Sequence, residues 1–419
     1  MDENDVIYDW NATGGGATTR RVEVHDETLR DGIQSPSVRD PSLDAKVAAI
    51  RLMATMGVAS VNVGLPGAGP RAVADSTRLV ELVRDEGLPI RVGCAARTHA
   101  NDIRPIVDIT QRTGVPVEVM TFLGSSPIRM YAEGWDEAKL ETLARDAVKL
   151  GVTGGCPVSF VTEDTVRSRP ATLERLFSAA IEEGADRLVL CDTVGHCTPE
   201  GARALVEWTD ALLVRLGVRD RVRIDWHGHQ DRGLSLINAL EAGRAGADRL
   251  HGTVLGVGER VGNTPLDQLL VNLRLMGALD ADLTRLGDLV DLISEATGVP
   301  IPVSWPVFGA DAFRTGTGVH AAAVIKAEQR GQSWLADRIY SGVPAAWFGR
   351  EQVIEVGHQS GLSNVRYWMA RRGLPADDAV AQAIFDTAKG HNRLLTDAEV
   401  MAVVVAHSGR AERLPDAKA

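Results

Sequence analysis

The chain has 419 residues, and its 45 basic against 56 acidic side chains leave a formal net charge of −11. That balance excludes nucleic acid or an anionic membrane as the main partner, since both call for a net basic footprint. With 44% hydrophobic and 24% charged residues, no apolar run near the ~18 to 20 residues that span a bilayer and an acidic, polar N-terminus unlike a secretory signal, the composition suits a cytoplasmic enzyme.

Residues 1–19 read as a flexible leader, acidic and then glycine-rich at 14–16. A regular alternation follows, in which short β-branched runs precede amphipathic Ala/Leu/Arg-rich stretches. The first strand is expected at 21–25, with a helix at 43–56; the second at 60–63, with a helix at 71–86. Strands at 90–95 and 115–121 come next, then a helix at 138–149. The strand at 155–160 precedes a helix at 172–183, and that at 187–191 a helix at 199–216. The last two strands, 222–226 and 249–254, lead into helices at 233–242 and 265–276. Gly57, Gly87, Gly151, Gly184, Gly217 and Gly243 stand where helix C-caps are expected. Strands alternating with helices imply parallel pairing, and eight such units fit a (β/α)8 TIM barrel over 20–280. An open doubly wound sheet would want a glycine-rich loop after the first strand, and HDETLRD (25–31) is nothing of the kind. Beyond 280 the rhythm gives way to a linker and a helical appendage over 281–419, with helices at 319–330, 377–389 and 397–407 and a frayed tail at 411–419.

The strongest local signal is DWHGH at 225–229. Residues two apart on a strand share a face, so His227 and His229 project together at the end of the seventh strand. A TIM barrel keeps its reactive groups there, and paired imidazoles suit a divalent metal. DETLRDG (26–32) brings Arg30 and Asp31 to the same mouth. Asp31 offers the carboxylate of a two-His-one-carboxylate set, and Arg30 hydrogen bonds to a developing oxyanion; alone, the two would read as a surface ion pair. GVGERVGN (256–263) is a Gly-rich turn whose N–H groups offer a weak phosphate-loop signal, and Asn263 has a carbonyl oxygen for the metal. SFVTED (159–164) and CDTVG (191–195), read as following strands five and six, put Glu163 forward as an acid/base and Thr193 as a hydroxyl donor to a substrate carboxylate, beside the plainer role of helix caps. Cys94, Cys156 and Cys191 read as small buried hydrophobes, and Cys197 as a loop residue.

These motifs, with GLP (64–66), AARTHANDI (95–103), GTGVH (316–320) and HQSG (358–361), resemble the Claisen-condensing branch of the DRE-TIM metallolyase superfamily: isopropylmalate, homocitrate and citramalate synthases. The resemblance implies a divalent metal (Mn, Zn, Mg or Co) on Asp31, His227 and His229 with Asn263 close by. It implies acetyl-CoA as cosubstrate and a 2-oxo acid as acceptor, with thioester hydrolysis after the condensation. Arg30 would stabilise the alkoxide, Thr193 hold the carboxylate and Gln34 line the pocket. Glu163, His320 and Tyr340 would handle protons. His320 and Tyr340 lie in the appendage, which implies a homodimer with exchanged C-terminal subdomains.

Departures from the pattern bear on the acceptor. Asn62 stands where the superfamily carries the glutamate of its motif, which removes a charge beside Arg30. Ile33 follows Gly32 where most synthases have Glu, a pattern closer to the lyases. Ser159 matches neither the homocitrate nor the isopropylmalate branch, and Arg129 in SSPIR (125–129) is placed to read a second anionic group. Arg97, with Arg30 and Arg129, would offset the net acidity at the mouth. The expectation is a specialised acceptor, anionic or bulky. An ordinary isopropylmalate or homocitrate synthase, or a retro-aldol or retro-Claisen lyase using the same metal, are the alternatives. A chain ending near 419 is expected to lack a C-terminal leucine-sensing domain.

Overall fold

A computed structural model describes residues 6–11 and 20–408. Most of the expected leader and the expected frayed tail lie outside the described residues. The chain divides into two compact units, Met1–Ile301 and Pro302–Ala419.

The first unit is a closed barrel of eight strands, β1 to β8, each parallel to the next, with β8 returning to β1. The strands are β1 Glu23–Asp26, β2 Ser60–Asn62, β3 Arg91–Arg97, β4 Glu118–Gly124, β5 Val158–Glu163, β6 Arg187–Asp192, β7 Arg223–Gly228 and β8 Arg249–Gly252. A helix follows every strand, as the alternation of the sequence requires for parallel pairing. Among the helices absent from the sequence reading are Ala100–Thr113 and Leu286–Thr297. The first holds Pro105 in its interior, a helix breaker on local grounds. The second packs on the helix Leu43–Thr55, and the Arg39 N–H donates to Thr297 O, so the first unit runs past 280 to Ile301.

Strands β4 and β5 begin three residues later than the sequence patterning suggests. The helix Glu137–Thr153 runs through Gly151, and Gly155, at φ 84°, makes the turn instead. The shift matters for function. SFVTE is the strand itself, so Glu163 closes β5 at the barrel mouth while Ser159 lies near its buried start. Gly243 is likewise inside its helix, Ser235–Ala245.

Inside the barrel, the N-terminal ends of the strands carry charge that is fully paired. Arg249 is wholly buried and donates to Glu118 and Asp225, and its Nη1 also donates to Ser60 Oγ at 3.0 Å. Arg187 donates to Asp225 at 2.8 Å and to Glu23 at 2.9 Å. These two arginines, on β8 and β6, plug the bottom of the barrel.

The second unit is mostly helical. Gly318–Gln329 packs with Leu362–Arg371, the latter with Asp378–Lys389, and that helix with Asp397–Ser408, the last three around Val365, Trp368, Ile384 and Val400. A two-stranded parallel sheet, β9 Arg314–Thr315 with β10 Val353–Ile354, precedes this core. No helix among the described residues is long and apolar enough to cross a membrane.

Candidate active site

A cavity of about 210 Å³ opens at the C-terminal ends of the strands, lined by residues from most of them. Its polar side carries Arg30 and Asp31 from just after β1, His227 from β7 and His229 from just beyond it. The two imidazoles and the carboxylate converge. His227 Nε2 lies 3.3 Å from His229 Nε2, and Asp31 Oδ2 is 3.4 and 3.5 Å from the two nitrogens. Edges of that length belong to donors about 2.0 to 2.2 Å from one shared centre.

Asp31 Oδ2, the carboxylate oxygen at this point, is buried with no hydrogen-bond partner, as is Asn263 Oδ1 beyond His229. Buried polar atoms are normally satisfied, and two imidazole lone pairs facing a carboxylate oxygen repel unless a cation lies between them. The donor set therefore fits a divalent metal. Its electrostatics agree. Burial alone would raise Asp31, but Arg30 and the two histidines hold it well below the usual carboxylate range. Burial and the neighbouring His227 lower His229 to about 4, keeping its imidazole neutral and ready to ligate.

Asn263 is brought beside His229 by the Gly-rich turn. A Cβ on Gly262, at φ 99°, would sit 1.9 Å from Gly256 O, so only glycine permits the fold-back. The turn pairs Asn263 with His229 in an isolated bridge, and the Asn263 Nδ2 donates to Val257 O at 3.1 Å. The N–H groups of Gly256, Val257, Gly262 and Asn263 are spent on carbonyls of the turn and its approach. The run is thus a bracket for Asn263, and these four N–H groups are not offered to a phosphate.

Arg30 is clamped on both sides. Its Nε donates to Glu27 Oε2 at 2.8 Å, its Nη2 lies 2.7 Å from the same oxygen, and its Nη1 donates to Asp31 Oδ1 at 3.0 Å. Two N–H groups of the five remain for a ligand. Thr193 Oγ1 accepts from the Asp164 N–H at 2.8 Å, which leaves its own hydrogen free to donate into the cavity. Burial raises Glu163, with Arg129 at 3.6 Å opposing the shift.

Gln34 and Asn62 line the cavity as expected. Three expected substrate-binding residues do not. Ser159 is buried at the bottom of the barrel and donates to Glu118, a consequence of the strand shift. Arg97 points outward, its side chain 65% exposed, and binds Asp102 through Nε and Nη2 at 2.7 and 2.9 Å. Arg129 stays outside the lining and lies equally far, 3.6 Å, from Glu133 and Glu163. His320 and Tyr340 meet in the second unit, their rings 4.2 Å apart.

The cavity also holds residues that the sequence reading passed over: Glu27, His251, Leu65, Met120, Phe122 and Glu259. Glu27 was legible within DETLRD, as an acid three residues before the arginine it binds. Met120 and Phe122 follow from strand alternation once the register of β4 is known. The cavity thiol, Cys191, is pushed well above its ordinary value by burial, so it stays protonated and apolar in character. All four cysteines are buried and free.

Residues 21–293 match the HMGL-like family model. The chain belongs to the HMGL-like family. Within that family it falls with the Claisen-condensing synthases, as an acyltransferase. It is 30% identical to a 2-isopropylmalate synthase of Halothermothrix orenii, over 92% of this chain and 73% of that protein. It is 29% identical to a homocitrate synthase of Methanopyrus kandleri, over 91% of each. The HMG-CoA lyase of Bacillus subtilis superimposes with a TM-score of 0.56 at 19% identity, over 68% of this chain and 96% of that one, which bears on the fold alone. In this HMGL-like chain, the unpartnered Asp31 Oδ2 and Asn263 Oδ1 belong to two of the motifs that carry the resemblance.

Proposed function

We propose that this acyltransferase condenses acetyl-CoA with a 2-oxo acid whose side chain is bulky and apolar, giving a 2-substituted malate and CoA. The observation that carries the reading is the convergence of Asp31, His227 and His229 beside the clamped Arg30 in one cavity. A divalent cation on those three residues, with Asn263 Oδ1 near, supplies Lewis acidity to the acceptor ketone. The residues of the chain do the rest. Thr193 donates its free hydroxyl hydrogen to the acceptor carboxylate. Arg30 turns its unspent N–H groups toward the oxygen that gains charge as the C–C bond forms. Glu163, raised by burial, takes the proton from the acetyl methyl group. Water then cleaves the thioester and CoA leaves as the thiol.

Leu65, Ala95, Met120, Phe122, Val161 and Val189 form an apolar wall, and this favours a bulky acceptor over an anionic one. Arg129, the cation placed to read a second anionic group, is shared between Glu133 and Glu163. We further propose a homodimer in which His320 and Tyr340 of one subunit serve the barrel of the other.

The deciding experiment incubates the metal-loaded protein with acetyl-CoA and a panel of 2-oxo acids, following thiol release. Phenylpyruvate and other bulky acceptors should outrun 2-oxoisovalerate, 2-oxoglutarate and phosphonopyruvate. A preference for 2-oxoisovalerate or 2-oxoglutarate would mean an ordinary isopropylmalate or homocitrate synthase, and no thiol with any acceptor would remove the condensing reading. Mixed dimers of Arg30→Ala and His320→Ala chains should regain activity; inactive confirmed heterodimers would rule out the shared site.

A further inference from the structure

Asn62 removes a carboxylate from β2 at the point where Arg30 needs one, yet Arg30 is not left without an anion. Glu27, just after β1, contacts it twice, at 2.7 and 2.8 Å, and its side chain is 1% exposed against 18% for the arginine. The Asn62 side chain turns toward the same group, its Nδ2 donating to Glu27 Oε1 at 3.4 Å.

The surroundings of Glu27 hold it as an acceptor only. Arg249 Nη1 donates to Ser60 Oγ at 3.0 Å, Ser60 Oγ lies 2.7 Å from His25 Nδ1, and His25 Nε2 lies 3.2 Å from Glu27 Oε1. Arg249 has no acceptor, so the Ser60 hydroxyl is left to donate to His25 Nδ1. His25 is lowered, first by burial and then by Arg249, and stays neutral. Its single proton therefore sits on Nε2 and points at Glu27. Oε1 thus receives His25 and Asn62, while Oε2 receives Arg30.

We propose that Glu27 is the positioning residue for Arg30, a carboxylate carried at the end of β1 in place of one on β2, with Asn62 and His25 as the donors that hold it. His25, Glu27 and His251 also group their donor atoms closely enough to hold an ion, and His251 Nδ1 has no hydrogen-bond partner. The cluster is a hydrogen-bonded one instead, because the His25 Nε2 lone pair is covered by its proton and Arg30 already neutralises Glu27.

The kinetic test rests on the condensing reading; a structural arm does not. Glu27→Gln offers one acceptor oxygen to donors on both sides, so it cannot satisfy His25 with Asn62 and Arg30 at once. Thiol release with the best acceptor should fall about 100-fold or more in kcat, the scale of losing one oxyanion donor, with KM for the 2-oxo acid nearly unchanged. Adding Asn62→Glu to that variant should restore at least about tenfold of the loss by returning the carboxylate to β2. A Glu27→Gln enzyme within about threefold of wild type, or a double variant no better than the single, overturns the assignment. If Glu27→Gln does not fold, Glu27→Asp keeps the charge but shortens the reach; full activity there also overturns it. In crystal structures, the Arg30 guanidinium should leave its place in Glu27→Gln and return in the double variant. That movement decides the inference even if wild type turns over no acceptor, in which case the condensing reading alone has failed. Two equivalents of metal per chain, one of them lost in His25→Ala, would show an ion site where we assign hydrogen bonds.

Discussion

The two ends of the barrel interior are built from similar residue types and treat them in opposite ways. At the bottom, Arg249 and Arg187 meet Glu118, Asp225 and Glu23, and the charges are paired. At the mouth, Asp31 Oδ2 and Asn263 Oδ1 are buried without partners. A buried polar group costs stability unless it is satisfied, so the bottom maintains the fold and the mouth withholds donors for a ligand. Removing a paired group should harm folding more than chemistry; removing an unpaired one should do the reverse.

The largest effect is expected at the mouth. His227→Ala with His229→Ala should abolish bound metal, read by elemental analysis, and lower thiol release by at least about 1,000-fold, the scale of lost metal assistance. The folded state should hold, since the double variant removes a crowded set of lone pairs. A variant that unfolds at room temperature would place the pair with the structural charges and break the comparison.

Next comes Arg249→Met at the bottom. It strands Glu118 and Asp225 without their main counter-ion, and breaking a buried pair costs about 3 to 5 kcal/mol. Urea unfolding should register that loss, and the fall in turnover per folded molecule should be much smaller than for the histidine pair, since Arg249 reaches the mouth only through Ser60 and His25. An unchanged urea midpoint would mean that the plug contributes nothing to stability.

The same comparison has a pH signature. Arg249 lowers Glu118 to about 2 against the opposing effect of burial, and it holds Asp225 low as well. Carboxylates lowered in the folded state stabilise it fully above their unfolded value of about 4 and lose that contribution as pH falls toward the folded value. Stability should therefore decline from about pH 4.5 to pH 2, with a much weaker decline in Arg249→Met. Parallel acid curves for the two proteins would contradict the assignment.

How far the sequence carries this picture depends on the range of the interactions. The eight-unit alternation and the C-caps at Gly57, Gly87, Gly184 and Gly217 were legible because they are local. HGH and DETLRD were legible because each puts ligand-type residues within one strand end. The bottom plug was not, since Arg249 and Glu118 are 131 residues apart and only the closed barrel joins them. The start of β5 was missed because Gly151 looked like a helix stop, when the helix passes through it to Thr153, and β4 was begun at the β-branched Val115, ahead of its first strand residue Glu118. The first error carried Ser159 from the bottom of the barrel to the acceptor pocket, and the second hid Met120 and Phe122 from the pocket wall.

Ser159 therefore supplies the smallest and most discriminating prediction. If it read the acceptor side chain, Ser159→Ala would shift the ranking of 2-oxo acids. In the structure it is fully buried two residues into β5, and its hydroxyl donates to a carboxylate that Arg249 also holds through two nitrogens. Losing that donor leaves Glu118 satisfied by the guanidinium, so the cost should be one ordinary hydrogen bond, about 1 kcal/mol. The acceptor ranking should not move at all. Phe122→Ala, which opens the apolar wall of the cavity, should reorder it. Should Ser159→Ala change the ranking and Phe122→Ala leave it intact, specificity would lie with the paired end of the barrel, and the division of labour between bottom and mouth would have to be redrawn.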